Sequence, residues 1–285
     1  MTTRIDSASN PRIAAAVKAV EGHEKMLLEG RRMIEEALDA GVEVEEVFVQ
    51  RSQGDEKEER EEEDFLRRVR GEGTAGVADA NPAARMTTVS ARVLRRLSDL
   101  PSTRGIVAIA APPYRTLSSL SALLPSKKSV FSSSLFLLLD DVQDPANVGA
   151  ILRSGEAFGV AAALLTPGSA WPFSPRALRA SAGSAFRLPV AARVAAGEAI
   201  AWARGHGIAL AGAEAHGGTA PEALRGVRPL ALVIGSEGHG ISAEIAGSLD
   251  HRVTLPLAGR VDSLNAAVAA GVLLHILTRA QASAR

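Results

Sequence analysis

An α/β protein in two parts is predicted by three observations on the sequence. From Leu135 onward, short apolar runs alternate with amphipathic stretches, as strands and helices alternate around a mostly parallel sheet. The run Leu135–Leu139 is apolar at every position, as a strand covered on both faces must be. Ahead of it, Ser118–Ser134 is rich in Ser, Leu, Pro and Lys and reads as a linker. A chain of 285 residues suffices for about two domains with a core in each. The expected division is residues 1–113, a linker over 114–134, and 135–285.

In the first part, Ile13–Val20 has helical spacing after Asn10-Pro11. Arg31–Ala40 follows Glu29-Gly30, places Met33, Ile34, Ala37 and Leu38 on one face, and stops at Gly41. Val42–Val49 carries Val42, Val44, Val47 and Val49 and reads as a strand. Gln53–Glu63 is a charge run, read as a solvated loop or helix face. Val89–Leu97 is a short helix, and Gly105–Ala110 a strand closed by Pro112-Pro113. In the second part the expected strands are Leu135–Leu139, Ala161–Leu165, Phe186–Val190, Ile208–Gly212, Leu230–Ile234 and Arg252–Leu255. The expected helices are Val148–Phe158, Pro175–Ala182, Glu198–Gly205, Ile241–Gly247 and Ser263–Ala280.

Composition narrows the chemistry. The chain has no cysteine, which excludes disulfides, thiolate catalysis and Cys-ligated metal sites. No apolar run approaches the roughly 18 residues of a membrane span, and the first residues carry no apolar signal core. A cytoplasmic protein is therefore expected. The 32 basic and 32 acidic residues cancel, but unevenly: Asp55–Asp64 alone holds eight acids. With that run set aside, residues 1–134 are basic, with Arg92, Arg95, Arg96, Arg104, Lys127 and Lys128 among their bases. That charge is compatible with an anionic partner and equally with a solvated surface.

The spacing Gly71-x-Gly73-x-x-Gly76 matches a dinucleotide fingerprint, but a charged run precedes it and Asn81-Pro82 follows, where a strand and a helix are required. It reads as a turn. Three segments of the second part are more informative. Asp140–Arg153 follows a buried strand and opens a helix; Asn147 is placed to cap that helix, and Gly149 permits close approach of another backbone. Gly235-Ser-Glu237-Gly238-His239-Gly240 also follows a buried strand, and its three glycines bring backbone groups within reach of a ligand. His239 has no partner at metal-ligand spacing, so no metal site is expected. Leu255–Asn265 runs from a strand into the last helix, with Ser263 read as its N-cap and Asn265 in its first turn. Taken singly, each segment is also compatible with an ordinary loop, cap or packing contact.

Together the three segments resemble the SpoU-type, or TrmH, branch of the SPOUT RNA methyltransferases. That family carries N-x-G-x-x-x-R after its first strand, then G-[SN]-E-G-x-G, then [IL]-P-[ML]-x-G-x-x-x-S-L-N. All three occur here in order, over about residues 135–280. The first part resembles the family's ribosomal-protein-L30e-like substrate-binding domain, at Ser9-Asn10-Pro11, Leu28-Glu29-Gly30 and Leu94–Gly105. Leu255, Leu257 and Ala266-Ala267 are mild departures, and the Gln53–Glu63 run looks like an insertion.

The resemblance implies a parallel sheet with a trefoil knot, S-adenosylmethionine (SAM) as cofactor, a homodimer, and 2′-O-methylation of ribose in RNA. It implies that Gly235, Gly238, Leu255, Leu257, Gly259 and Leu264 line the cofactor. Asn147, Arg153, Glu237, Ser263 and Asn265 would form the reaction site, with Arg153 reaching toward the other subunit's cofactor. Arg92, Arg95, Arg96 and Arg104 would contact RNA. The L30e-like part favours rRNA over tRNA, since such a fold suits structured RNA. A tRNA methyltransferase, a non-catalytic RNA-binding or assembly factor, and a nucleotide-dependent dehydrogenase are the alternatives.

Overall fold

The computed structural model describes residues 3–50, 56–69, 84–98, 105–124 and 134–279. The chain divides into two compact units, Met1–Pro113 and, apart from residues 173–175, Tyr114–Arg285.

The first unit is built on a five-stranded mixed sheet. Its elements are β1 (Thr3–Ile5), α1 (Pro11–Glu21), β2 (Met26–Glu29), α2 (Arg31–Asp39), β3 (Val44–Val49), α3 (Glu56–Val69), β4 (Arg85–Val89), α4 (Ala91–Leu97) and β5 (Ile106–Ala110). The strand order is β1-β4-β3-β5-β2, with β4 parallel to both β1 and β3, and β5 antiparallel to both β3 and β2. Side chains alternate across a strand. Leu27, Phe48, Val107 and Ile109 therefore share one face, packed with Ile13 of α1 and with Val93, Leu94 and Leu97 of α4. Asn10 caps α1 by accepting from the Arg12 amide at 2.9 Å. Gly41, at φ 72°, ends the turn after α2 where a side chain would be strained.

Strands β1, β2 and β4 are additions to the sequence reading. They are three to five residues long, and β4 (Arg-Met-Thr-Thr-Val) lacks the apolar pattern that marks a strand. From Glu56 onward the acidic run belongs to a 14-residue helix, α3. That helix buries Phe65, Leu66 and Val69, and Arg68 pairs with Asp39, the last residue of α2. The Gly71–Gly76 motif, Arg104, Lys127 and Lys128 lie outside the described residues.

The second unit is a six-stranded parallel sheet with helices on both faces. Its elements are α5 (Leu117–Leu123), β6 (Leu135–Leu139), α6 (Pro145–Ala157), β7 (Ala162–Leu165), α7 (Pro175–Ser181), α8 (Ser184–Arg187), β8 (Val190–Ala191), α9 (Ala196–Gly205), β9 (Ala209–Ala213), a 3₁₀ turn (Pro221–Leu224), β10 (Leu230–Ile234), α10 (Ala243–Ala246), β11 (His251–Val253) and α11 (Ala266–Thr278). The order is β11-β9-β10-β6-β7-β8. On one face Phe136, Leu138, Leu210 and Val233 pack with Leu120 of α5, Trp202 of α9 and Ile245 of α10. On the other, α6 lies so close to β6 that a Cβ on Gly155 would come within 2.9 Å of Leu137 Cδ1.

Three expectations are corrected here. The stretch read as a linker carries α5, which is capped reciprocally by Thr116 and Ser119 and buries Leu120. Its Ser121 hydroxyl accepts from Trp202 Nε1 at 2.8 Å, so α5 is part of the second core. The expected strand Phe186–Val190 is not a strand over most of its length: Phe186 and Arg187 end the short helix α8 (Ser184–Arg187), which follows Gly183 at φ 82°, and only Val190–Ala191 pairs with β7. The helix expected from Val148 begins at Pro145 with Asp144 as its cap, because proline at the first helical position is preorganised for a helix start.

Candidate active site

The C-terminal ends of β6 and β10 carry the two loops that make the site, as open parallel sheets commonly arrange. After β6, Asp140 is buried, with Oδ2 accepting from the Ser242 amide at 2.7 Å and Oδ1 from the Thr166 hydroxyl at 3.3 Å. The first of these bonds ties down the loop that follows β10. That loop also closes on itself: Ser236 and Gly240 exchange backbone bonds of 3.0 Å in both directions, and the His239 amide donates to Ser236 Oγ at 3.1 Å. Gly235 is required there, since a Cβ would overlap the backbone of Gly240. Gly149 is equally constrained on α6, where a Cβ would overlap the Ala177 carbonyl of α7.

Because Asp144 caps α6, accepting from the Ala146 amide at 2.8 Å, Asn147 sits inside the helix and its side chain is available for other work. It bonds two partners distant in the sequence. Its Nδ2 donates to Glu237 Oε1, and its Oδ1 accepts from Asn265 Nδ2 at 3.0 Å. Asn265, and not Ser263, is the N-cap of α11: its Oδ1 accepts from the Ala267 and Val268 amides at 3.0 and 3.3 Å. With that oxygen occupied by helix amides, only Nδ2 of Asn265 is left to face Asn147. Asn147 must then present its oxygen to Asn265 and its NH₂ to the Glu237 carboxylate. The chain Asn265–Asn147–Glu237 has one consistent orientation and joins all three sequence segments.

Beside this chain lies a cavity of about 690 Å³, within the roughly 300–1,000 Å³ usual for small-molecule sites. It is lined by Gly235, Glu237, Leu255, Leu257, Ser263, Leu264 and Asn265 among the residues expected from the sequence. Gly238 and Gly259 are not in the lining, and a Cβ on either would meet nothing within 4 Å. The lining also includes Glu214, Ala215 and His216, which the sequence reading did not single out. They follow β9, and position at the C-terminal end of a parallel strand is the signal that could have found them. Among the described residues lining the cavity there is no Lys or Arg, while Glu214, Glu237 and Asp262 are carboxylates. Arg252 pairs with Glu214. Such a cavity suits a neutral or cationic ligand and does not suit a dinucleotide pyrophosphate.

Arg153 is exposed on α6, about 240° around the helix from Asn147, and does not line the cavity. On the neighbouring α11, Val268 and Val272 are exposed one turn apart, as is Val261 in the loop before it. In the first unit, Arg92, Arg95 and Arg96 are all on the exposed side of α4, opposite the buried Val93, Leu94 and Leu97. Among the described residues, no group of three His, Asp or Glu side chains could hold a metal ion. No helix of the described residues is long and apolar enough to cross a membrane.

Comparison with known proteins matches residues 134–275 to the SpoU rRNA methylase family and residues 18–108 to the MRM3-like substrate binding domain. An uncharacterized tRNA/rRNA methyltransferase of Mycobacterium leprae is 35% identical over 263 residues, which is 92% of this chain and 79% of that protein. A solved RNA 2′-O ribose methyltransferase superposes with a TM-score of 0.72 at 29% identity, covering 98% of this chain and all of the other. The SpoU methyltransferase AviRb of Streptomyces viridochromogenes, solved with AdoMet, superposes with a TM-score of 0.76 at 25% identity, covering 97% of this chain and 100% of that one. The fold is thus a SPOUT methyltransferase domain with an N-terminal substrate-binding domain.

Proposed function

The chain is an RNA methyltransferase of the SpoU rRNA methylase family, and from that premise we propose that it methylates a ribose 2′-hydroxyl of ribosomal RNA, with SAM as donor and as a homodimer. The observation that carries this reading is the Asn265–Asn147–Glu237 chain standing at the edge of a cavity without lysine or arginine. The cavity's carboxylates fit a sulfonium cofactor, and the close Gly235–Gly240 approach leaves backbone groups, not side chains, to contact it. Gly235, Leu255, Leu257 and Leu264 would hold the cofactor. Gly238 and Gly259 would serve the loops' backbone paths, outside the contact surface.

When bound, SAM supplies a methyl group on a positively charged sulfur. The chain's task is then to orient a ribose against it and exclude competing water. Asn147 is held rigid from both sides, so its position and that of Glu237 are set before RNA arrives. Ser263, exposed at the cavity mouth, is placed to meet the ribose. Arg153 would bind the target ribose and its phosphate. A guanidinium keeps its proton at neutral pH, so in this reading the hydroxyl proton passes to solvent or to a phosphate oxygen of the RNA.

The homodimer reading rests on Val268 and Val272, exposed one turn apart on α11, which packs against the helix that carries Arg153. A two-fold contact there would let Arg153 serve the partner's site, which explains why it stands away from its own cavity. The first unit would supply RNA affinity through Arg92, Arg95, Arg96 and Arg104, whose phosphate contacts would make binding fall with salt.

Calorimetry tests the cofactor: SAM is expected to bind and NAD is not. Binding of NAD without SAM would return the chain to the dehydrogenase alternative.

A further inference from the structure

Away from the cavity, the second unit gathers an aromatic and cationic cluster that nothing in the reaction site uses. Tyr114 is the chain's single tyrosine and is 50% exposed. Its ring meets that of Trp171 edge-on, with centroids 5.8 Å apart and an interplanar angle of 65°. The guanidinium of Arg193 lies 5.3 Å from the Trp171 ring centroid. Arg193 is exposed and has φ of 60°, a backbone region that favours glycine, and the next residue is pinned by a 3.0 Å bond from the Val194 amide to Leu165 O. Arg115, also exposed, is anchored through its amide to Val190 O at 2.7 Å.

The cluster is tied to the reaction loop. Trp171 lies in the loop after β7, and that loop is bonded at four points to the end of β6 and the loop that follows it. Asp141 and Val142 amides donate to Thr166 Oγ1 (3.0 Å) and Ser169 Oγ (3.2 Å), Ser169 Oγ donates to Leu139 O (3.0 Å), and the Ala170 amide donates to Val142 O (2.9 Å). Gly168 is needed for the fit, since a Cβ there would overlap the Asp141 carboxylate. The same loop after β6 leads directly into α6 and Asn147. Trp171 and Arg193 therefore stand beyond the C-terminal ends of β7 and β8, the same end of the parallel strands as the cavity beyond β9 and β10.

We infer that Tyr114, Trp171, Arg193 and Arg115 form a platform for an unstacked base of the RNA substrate. The base stacks on the exposed face of Tyr114, Trp171 fixes that ring, and the two arginines take the flanking phosphates. An exposed aromatic ring held by a second ring that itself carries a stacked guanidinium is the chemistry that single-stranded nucleic acid recognises. The platform selects for a splayed-out nucleotide near the target ribose, which a uniform duplex does not offer. This inference rests on the RNA-methyltransferase reading above.

The test uses the full chain with two probes, a 12-nucleotide oligoadenylate and an rRNA transcript, and reads RNA affinity, SAM affinity and tryptophan fluorescence. Tyr114→Ala is expected to weaken RNA binding by about 5- to 150-fold, the usual range for loss of one base stack, with SAM affinity and thermal midpoint unchanged. Tyr114→Phe is expected to retain affinity within about twofold, since the ring and not the hydroxyl does the stacking. The chain has two tryptophans, and Trp202 is buried against Phe136. In a Trp202→Phe background, oligoadenylate should quench the fluorescence that remains, which comes from Trp171. If wild type binds the transcript but Tyr114→Ala leaves its affinity unchanged, or Trp171 is not quenched, the platform is overturned. If wild type takes up SAM but binds neither probe, the RNA reading beneath it falls as well.

Discussion

Asn147 and Asn265 lie 118 residues apart and are hydrogen-bonded at 3.0 Å, the first from inside helix α6 and the second from the cap of α11. The bond makes one side chain serve two purposes. Asn265 starts a half-buried helix with its oxygen and orients Asn147 with its nitrogen, so helix placement and site geometry are set together.

These two purposes separate by substitution. Asn265→Asp keeps a good capping oxygen but cannot donate to Asn147. It should leave the thermal midpoint nearly unchanged and reduce methyl transfer on the order of 100-fold. Asn265→Ala should lose the same activity and, in addition, about 1 kcal/mol of stability with the cap. Denaturation curves beside single-turnover rates check both. Equal activity of Asn265→Asp and wild type would remove Asn147 orientation from the account.

The glycines of the loop after β10 differ in what they permit. Gly235→Ala places a methyl against the Gly240 backbone, whereas Gly238→Ala points one into open space. Calorimetry should show SAM binding abolished in the first and kept within about threefold in the second. Loss of binding in both would mean that Gly238 contacts the ligand directly.

Arg153 carries the dimer reading. Arg153→Ala should bind SAM and transfer no methyl group, and Gly235→Ala should do neither. If each site takes Arg153 from one chain and the glycine loop from the other, mixing the two inactive proteins restores one intact site in each heterodimer. Activity should return to about a quarter of the wild-type level on random exchange. No recovery, with exchange confirmed by native mass spectrometry, would place Arg153 in its own chain's site.

Much of the catalytic unit was legible in the sequence because its signals are local. Continuous apolar runs marked β6, β7 and β10, and glycines at strand ends marked the loop at Gly235. What stayed hidden depends on competition or on tertiary contact. Asn147 and Asp144 are both cap formers three residues apart, and Pro145 decided between them; Ser263 and Asn265 posed the same choice. Leu257 and Glu237 could be placed by motif, whereas Glu214 and His216 carry no motif and only their place after β9 marks them, which gains meaning once β9 lies beside β10 and β11. The linker reading failed at Leu120, whose burial depends on Trp202, 82 residues further on. Likewise Tyr114, Trp171 and Arg193 come from three separate segments, and no spacing rule connects them.

Acid stability follows from two carboxylates. For Asp250, burial raises the pKa, but bonds from the Leu210 amide and Arg204 and the charges of Arg204 and His251 outweigh it, holding the carboxyl below its ordinary 3.8. Glu156 is held below 4.5, first by hydrogen bonding to Arg187, against burial, and further by Ser184 and the Arg187 charge. Both pKa values are depressed in the folded state, so the stability they contribute is complete above the ordinary carboxylate range and is lost as pH falls through the folded values. The thermal midpoint should therefore drop below about pH 4, and Asp250→Asn should flatten that drop. An equally steep profile in Asp250→Asn would assign the acid sensitivity elsewhere.

The most direct measurement is methyl transfer from labelled SAM to purified large-subunit rRNA and, separately, to bulk tRNA, followed by alkaline hydrolysis. A 2′-O-methyl group blocks cleavage at its own phosphodiester, so the account expects label in alkali-resistant dinucleotides from the rRNA, at one position absent from RNA treated with Arg153→Ala. Label recovered on a base, label confined to tRNA, or no transfer by a protein that binds SAM would contradict it.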